Sequence, residues 1–305
     1  MFYKLAIDTT GKSVAELLRT ATVCLFCHVS AFCNHQWLCY YAHVCVLFQD
    51  NPRKPRLELL PLQERQDALQ ALSDSAAMML ADFCVPAASG DADKKQRELC
   101  AIDGGSGSGK TRLGYEFFRW VPQRLPSLGN SLYLFVNLGN GSSPLPEQLQ
   151  WGMSVYLGLR VALQMLLPPS RDITTELVSQ ILHAIDLDTS LVQSFSLRSV
   201  LLDYSEVVQA ANANGAALPL HILAHVDEAQ FMLNMTTWHP REPQTELAAR
   251  SMCRVLMDAS MNRQVFFFPY LSGTYPMMSL KLFDPTEYVV NSVTCGQLSP
   301  EGSSS

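Results

Sequence analysis

The sequence predicts an α/β fold in which a mostly parallel sheet is flanked by helices on both faces. Three observations carry that expectation. Short apolar runs rich in branched and aromatic residues recur beyond residue 97, at Glu98–Ile102, Ser131–Leu138, Leu220–Val226 and Gln264–Leu271. Longer helix-patterned stretches separate them, as a βαβ arrangement requires. The first run opens into a glycine-rich loop that passes directly into a helix-forming segment.

The chain has 305 residues, nine of them cysteine, a net charge of −6 and a pI near 5.6. Nearly half of the residues are apolar, enough to bury a sizeable core. The acidic balance argues against nucleic acid as a partner, because phosphate backbones are held by clustered Lys and Arg. The basic clusters Arg53–Arg56 and Lys94–Arg97 are small and read as solvated surface. Met1–Thr20 is no secretory signal, since Lys4, Asp8, Lys12, Glu16 and Arg19 interrupt it. Cysteines without a disulfide-framework spacing, beside a phosphate-binding motif, point to reduced thiols in an intracellular protein, cytoplasmic or nuclear.

Along the chain, Phe2–Ile7 reads as a strand and Ser13–Thr20 as a helix. Ala21–Phe48 then contains no Asp, Glu, Lys or Arg and holds Cys24, Cys27, Cys33, Cys39 and Cys45. It is long enough to span a bilayer. His28, Asn34, His35, Gln36 and His43 are spread along it, and polar groups at mid-span are costly, which argues against the membrane. Cys24-Leu-Phe-Cys27-His28 fits a haem-attachment spacing, and Cys24, Cys27, Cys39, His43 and Cys45 offer four-ligand zinc sets. With cysteines this dense, both matches arise easily by chance. The abrupt shift in composition favours reading residues 21–48 as foreign to the main domain, an insertion or a mispredicted piece of coding sequence, over a buried apolar element. We therefore divide the chain into an N-terminal extension, 1–56, and a main domain, 57–305.

In the main domain, Pro61–Phe83 is patterned as a helix, with Leu62, Leu69, Leu72, Met79 and Leu80 on one face. Ala87–Lys95 is a polar loop. A helix is expected over Lys110–Trp120, and Gly139–Pro146 is a loop. Helices at Glu147–Leu167, Thr174–Leu187 and Ser196–Ala213 form an insertion before the strand Leu220–Val226. A helix is expected at Pro243–Ser260 and a last strand at Tyr288–Thr294. Pro269, inside Gln264–Leu271, requires a bulge or an unpaired position because it has no N–H.

Two motifs carry chemistry. Gly104-Gly105-Ser106-Gly107-Ser108-Gly109-Lys110-Thr111 fits G-x-x-x-x-G-K-[ST] in full. Its glycines let the loop turn N–H groups toward an anion, and the following helix adds its N-terminal partial charge. Lys110 would reach the β- and γ-phosphates, Thr111 would hold Mg²⁺, and Arg112 completes the nucleotide-binding set. A Gly/Ser linker has no reason to end in Gly-Lys-Thr at the start of a helix. The second motif is the apolar strand Leu220–Val226 ending in Asp227-Glu228, where Asp227 would serve the metal and Glu228 the attacking water. His225, inside that strand, reads as a half-buried packing residue. A third strand end, Ser272-Gly273-Thr274, places Ser272 or Thr274 where a polar group senses the γ-phosphate; an ordinary turn is an equal reading.

Together, GGSGSGKT, HILAHVDEAQ and FFFPYLSGT resemble the additional-strand division of P-loop NTPases, the AAA-like and STAND-like ATPases, over roughly Pro61 to Glu301. The chain is also similar to the NTPase modules of Crinkler-type and retrotransposon-hot-spot-type proteins. The resemblance implies a P-loop NTPase core with an extra strand between the phosphate strand and the Walker B strand. It implies ATP and Mg²⁺ as ligands, with Lys110 and Glu228 catalytic, and a protein partner or self-assembly. The tail VVNSVTCGQLSPE resembles the last core strand and the start of a helical lid, so the lid is expected to be truncated at Ser305. Arg250, Arg254 and Arg263 are candidate arginine fingers. The function expected is ATP hydrolysis coupled to a conformational or assembly change. The alternatives are a nucleotide-binding switch with little turnover, a helicase-like nucleic-acid motor, and, last, a small-molecule kinase.

Overall fold

The computed structural model describes residues 65–84, 98–139, 141–166, 173–185, 194–213, 220–233, 235–239, 242–274 and 289–295. The expected elements before residue 61, the cysteine-rich stretch with its haem and zinc patterns, the 87–95 loop and the lid lie outside the described residues.

In chain order the strands are β1 (Glu98–Asp103), β2 (Ser131–Asn137), β3 (His221–Asp227), β4 (Thr236–His239), β5 (Glu242–Leu247), β6 (Phe266–Gly273) and β7 (Val289–Thr294). The helices are α1 (Gln66–Cys84), α2 (Lys110–Arg124), α3 (Pro146–Leu149), α4 (Met153–Leu166), α5 (Thr175–Ile185), α6 (Leu197–Ala213) and α7 (Ala248–Ser260). Five strands form one sheet in the order β2-β3-β6-β1-β7, and every pairing in it is parallel. β6 thus separates β1 from β3. This is an α/β fold, a parallel sheet flanked by helices with α3 to α6 inserted between β2 and β3, and it is consistent with a P-loop NTPase-like fold.

Side-chain alternation explains the three layers. In β6, Phe266, Phe268 and Tyr270 point to one face, where they meet α1 and α2 residues such as Leu72, Leu113 and Phe117. Phe267 and Leu271 point to the other, into a core with Tyr156, Leu201 and Leu256. A central strand buried on both faces reads as a continuous apolar and aromatic run, which is why FFFPYL contains no charged residue. Its rings interlock, with Phe117 edge-on to Tyr270 at 5.3 Å between centroids.

The structure departs from the sequence expectations at several places. The stretch expected as one helix from Glu147 breaks at Gly152, whose φ of +89° is left-handed and ends α3 before α4 begins. The helix expected from Pro243 begins only at Ala248, because Glu242–Leu247 pairs antiparallel with β4. Pro243 lies next to the start of β5, where a missing N–H costs little. Helix α2 continues past Trp120 to Arg124 despite Pro122, and Arg124 stacks over Trp120 at 5.1 Å. Pro269 stands in register with Ala224 without a bulge, while β6 pairs with β1 only from Tyr270 onward.

The inserted helices are tied to the sheet by Arg160. The residue is 2 % exposed, and its guanidinium donates to the Asn137 carbonyl at 2.9 Å and to the Ser142 carbonyl and lies over the Tyr156 ring at 5.0 Å. Burial lowers its pKa from the ordinary arginine value.

Phe268 is wholly buried between α1, α2 and the sheet. Phe268→Ala is expected to cost about 3–5 kcal/mol of unfolding free energy, read from the midpoint of chemical denaturation. A loss well below 1 kcal/mol would show that the α1–α2 face is not a packed core.

Candidate functional site

The carboxyl ends of parallel strands gather loops at one edge of the sheet, and open α/β sheets bind ligands there. Here β1 ends at Asp103 and runs into the loop Gly104–Gly109; β3 ends at Asp227 and β6 at Gly273. The strand order places the β6 end between the other two.

Gly107 and Gly109 take φ values of +75° and +85°, which turn the loop around the entrance to α2. Gly105, Ser106 and Gly107 are exposed, so the rim of the loop faces open space. The base of the loop is fixed. The Ser108 carbonyl accepts from the buried Arg65 guanidinium and from the Cys295 thiol at 3.2 Å. The Ser108 hydroxyl, 6 % exposed as a residue, has no hydrogen-bond partner among the described residues. Lys110 folds its amine back onto the Gly104 and Gly105 carbonyls at 3.1 and 2.8 Å. Arg112 lies along α2 near Glu116, at 4.0 Å.

Thr111, 116 residues before Asp227 in sequence, donates its hydroxyl to Asp227 Oδ2 at 2.7 Å. The other carboxylate oxygen, Oδ1, accepts from the Ser272 hydroxyl. Asp227 is 5 % exposed and Ser272 wholly buried. Ser272 therefore spends its single proton on Asp227. Its oxygen also lies 2.7 Å from His225 Nε2, and His225 Nδ1 lies 3.0 Å from the Tyr133 hydroxyl.

His225 is wholly buried, not half-buried. Its ring stacks on Tyr270 at 4.9 Å and meets Phe135 edge-on at 5.3 Å. Burial pulls its pKa down to about 4, against the opposing charge of Asp227, so the ring is neutral at pH 7. Gly114 on α2 makes room for it: a Cβ there would fall 2.3 Å from His225 Cε1. Tyr270 donates to the Gly114 carbonyl at 2.8 Å, pinning helix to sheet at that point.

Glu228 adopts φ 59°, ψ 36°, a left-handed conformation shared by no other non-glycine among the described residues. Such strain costs about 1–3 kcal/mol and tends to collect at functional positions. The Glu228 carboxylate accepts from the Gln230 amide. Gln230 Oε1 in turn accepts from the Thr274 amide at 3.1 Å. Gln230 thus clasps Glu228 to the end of β6. Gly139 closes the far side, since a Cβ there would lie 2.9 Å from Glu228 Cγ.

The structure brings the loop, Lys110, Thr111, Asp227 and Ser272 together at one edge, with Glu228 following Asp227 and Thr274 linked through Gln230. Arg263, a finger candidate, donates to the Asp82 carbonyl and lies 3.6 Å from the Asp82 carboxylate; Arg250 and Arg254 are on α7. The sequence reading passed over Tyr133, Gly114 and Arg65, and took Gln230 only as part of the Asp227–Gln230 motif. One signal was available: two-residue alternation sets His225 on the same face of β3 as Asp227. As donors, a threonine hydroxyl beside a carboxylate suits a small hard divalent cation such as Mg²⁺. The open loop rim and the orphaned Ser108 hydroxyl suit an anion.

No protein-family profile matches the chain, and no curated protein matches it. Among solved structures, the chain matches that of the Aeropyrum pernix Orc1 protein in complex with DNA, at 16 % identity and a TM-score of 0.34. The match covers 81 % of this chain and 48 % of that one, so this chain spans about half the length of the Orc1 protein. The expectation that argued against nucleic acid as a partner is withdrawn. That expectation rested on the net charge of the whole chain, and a net charge does not fix where local basic patches lie. Among the described residues, no helix is long and apolar enough to cross a membrane.

Gly114→Ala would drive a methyl group into the His225 ring. It is expected to destabilise the protein by about 1–3 kcal/mol, measured by urea unfolding. Unchanged stability would mean that α2 and β3 are less closely apposed than described.

Proposed function

We propose that the chain binds ATP with Mg²⁺ at the loop Gly104–Gly109 and hydrolyses it, coupling turnover to a conformational or assembly change. The observation that carries this reading is the 2.7 Å contact between Thr111 Oγ1 and Asp227 Oδ2. It joins the two motifs that nucleotide chemistry needs, from opposite halves of the chain. ATP in preference to GTP rests on the family resemblance alone.

In this reading the loop amides, including those of Ser106, Ser108 and Gly109, and the start of α2 hold the phosphates. Lys110 exchanges its carbonyl partners for phosphate oxygens. A Mg²⁺ ion held by Thr111 and Asp227 would neutralise charge that builds on the phosphate oxygens. Glu228 takes a proton from a water molecule as that water attacks the γ-phosphorus and the bond to the β-phosphate oxygen breaks. Before it does so, its carboxylate must leave Gln230. Because Gln230 also holds the Thr274 amide, a γ-phosphate near Thr274 would loosen the clasp and free Glu228. Ser272 acts on Asp227, while Thr274 is the residue offered to the phosphate.

A second reading, a nucleotide-binding switch with little turnover, is favoured by that same clasp, which holds Glu228 in its strained conformation. A nucleic-acid-dependent motor is tested in the same experiment by adding duplex DNA.

We expect wild-type protein to bind Mg-ATP in calorimetry and to release phosphate. Lys110→Ala should lose binding. Glu228→Gln should bind normally and turn over about 100-fold more slowly or less. Binding without turnover in wild type supports the switch. Folded wild-type protein that binds no nucleotide overturns both readings.

A further inference from the structure

Resting on the nucleotide reading above, we infer that Tyr133 and His225 are positioning residues that act through Ser272 to hold the Asp227 carboxylate for the metal. The geometry assigns each proton in the array. A carboxylate only accepts, so the Ser272 hydroxyl proton goes to Asp227 Oδ1. The Ser272 oxygen must then accept from His225 Nε2–H at 2.7 Å. A neutral imidazole carries one N–H, so Nδ1 is bare and accepts from the Tyr133 hydroxyl at 3.0 Å. Tyr133 thereby fixes the tautomer, the tautomer fixes the direction of the Ser272 hydroxyl, and Ser272 fixes one oxygen of Asp227. The other oxygen is left to Thr111, at 2.7 Å.

Packing alone would be served by an apolar residue at 225. An apolar ring there would remove the donor that Ser272 now accepts from, and would leave the Tyr133 hydroxyl without this partner. The array also spans three adjacent strands: β2 supplies Tyr133, β3 supplies His225 and Asp227, and β6 supplies Ser272. The edge strand beside the inserted helices is thus wired to the metal carboxylate by three hydrogen bonds.

If Tyr133 becomes Phe, nothing holds Nδ1 bare. The imidazole can then carry its proton on Nδ1, and its bare Nε2 competes with Asp227 for the Ser272 proton. The test is to record the imidazole ¹⁵N resonances of histidine-labelled wild type and Tyr133→Phe, and to titrate both with ATP in excess EDTA and in Mg²⁺. Ser272→Ala and the double variant are titrated alongside. Wild-type His225 should show the Nε2–H tautomer, and Tyr133→Phe should shift it toward Nδ1–H. The gain in ATP affinity on adding Mg²⁺ should fall by about 10- to 100-fold in Ser272→Ala, as is typical when the partner of a metal ligand is removed, and should fall in the same direction in Tyr133→Phe. Any loss of metal-free affinity should be smaller than the loss of the Mg²⁺ gain, and the double variant should be no worse than Ser272→Ala.

A Tyr133→Phe protein with an unaltered tautomer and an unaltered Mg²⁺ gain overturns the positioning role. Equal losses with and without Mg²⁺ overturn it too, because they mark a merely structural residue. Wild type that binds no ATP under either condition overturns the nucleotide reading itself, a failure distinct from these.

Discussion

The site is organised around one buried carboxylate. Asp227 sits at the end of a central strand with almost no access to solvent, and an ion in that position is tolerated only if its lone pairs are met. Two hydroxyls meet them, Thr111 from the first turn of α2 and Ser272 from β6. Because those hydroxyls belong to elements far apart in sequence, satisfying the carboxylate requires α2, β3 and β6 to be in register. The fold and the site are therefore one constraint. The sheet order that puts β6 between β1 and β3 is what lets a β6 serine reach a β3 aspartate.

The aromatic packing on the α1–α2 face follows from the same point. His225 must lie under α2 to reach Ser272, which explains a glycine in mid-helix at position 114, where it lowers helix propensity by about 1 kcal/mol relative to alanine. Tyr270 stacks on the imidazole and bonds the Gly114 carbonyl, so helix and ring hold each other in place. On the other face Arg160 fixes the Asn137 carbonyl at the end of β2, next to the turn at Gly139 that packs on Glu228. The inserted helices thereby reach the same edge of the sheet as the loop Gly104–Gly109.

Much of this was legible in the sequence. The parallel sheet and the turn into α2 could be read because buried strands are apolar runs and a loop with positive φ at Gly107 and Gly109 needs glycines there. The break at Gly152 was missed because helical periodicity continues on both sides of it. The strand at Glu242–Leu247 was missed because backbone pairing with β4 outweighs local pattern. His225 was read as filler because a lone histidine in a strand is most often that. Its role depends on Tyr133 and Ser272, 92 and 47 residues away, which no local window joins. The charge of the whole chain said nothing usable about nucleic acid, since binding depends on patches.

The most direct test of the central claim is a crystal structure with Mg²⁺ and a non-hydrolysable ATP analogue. The account predicts phosphates against the amides of Gly104–Gly109, Mg²⁺ at Thr111 and Asp227, and Ser272 still donating to Asp227. Nucleotide bound elsewhere, or a metal that engages neither Thr111 nor Asp227, would contradict it.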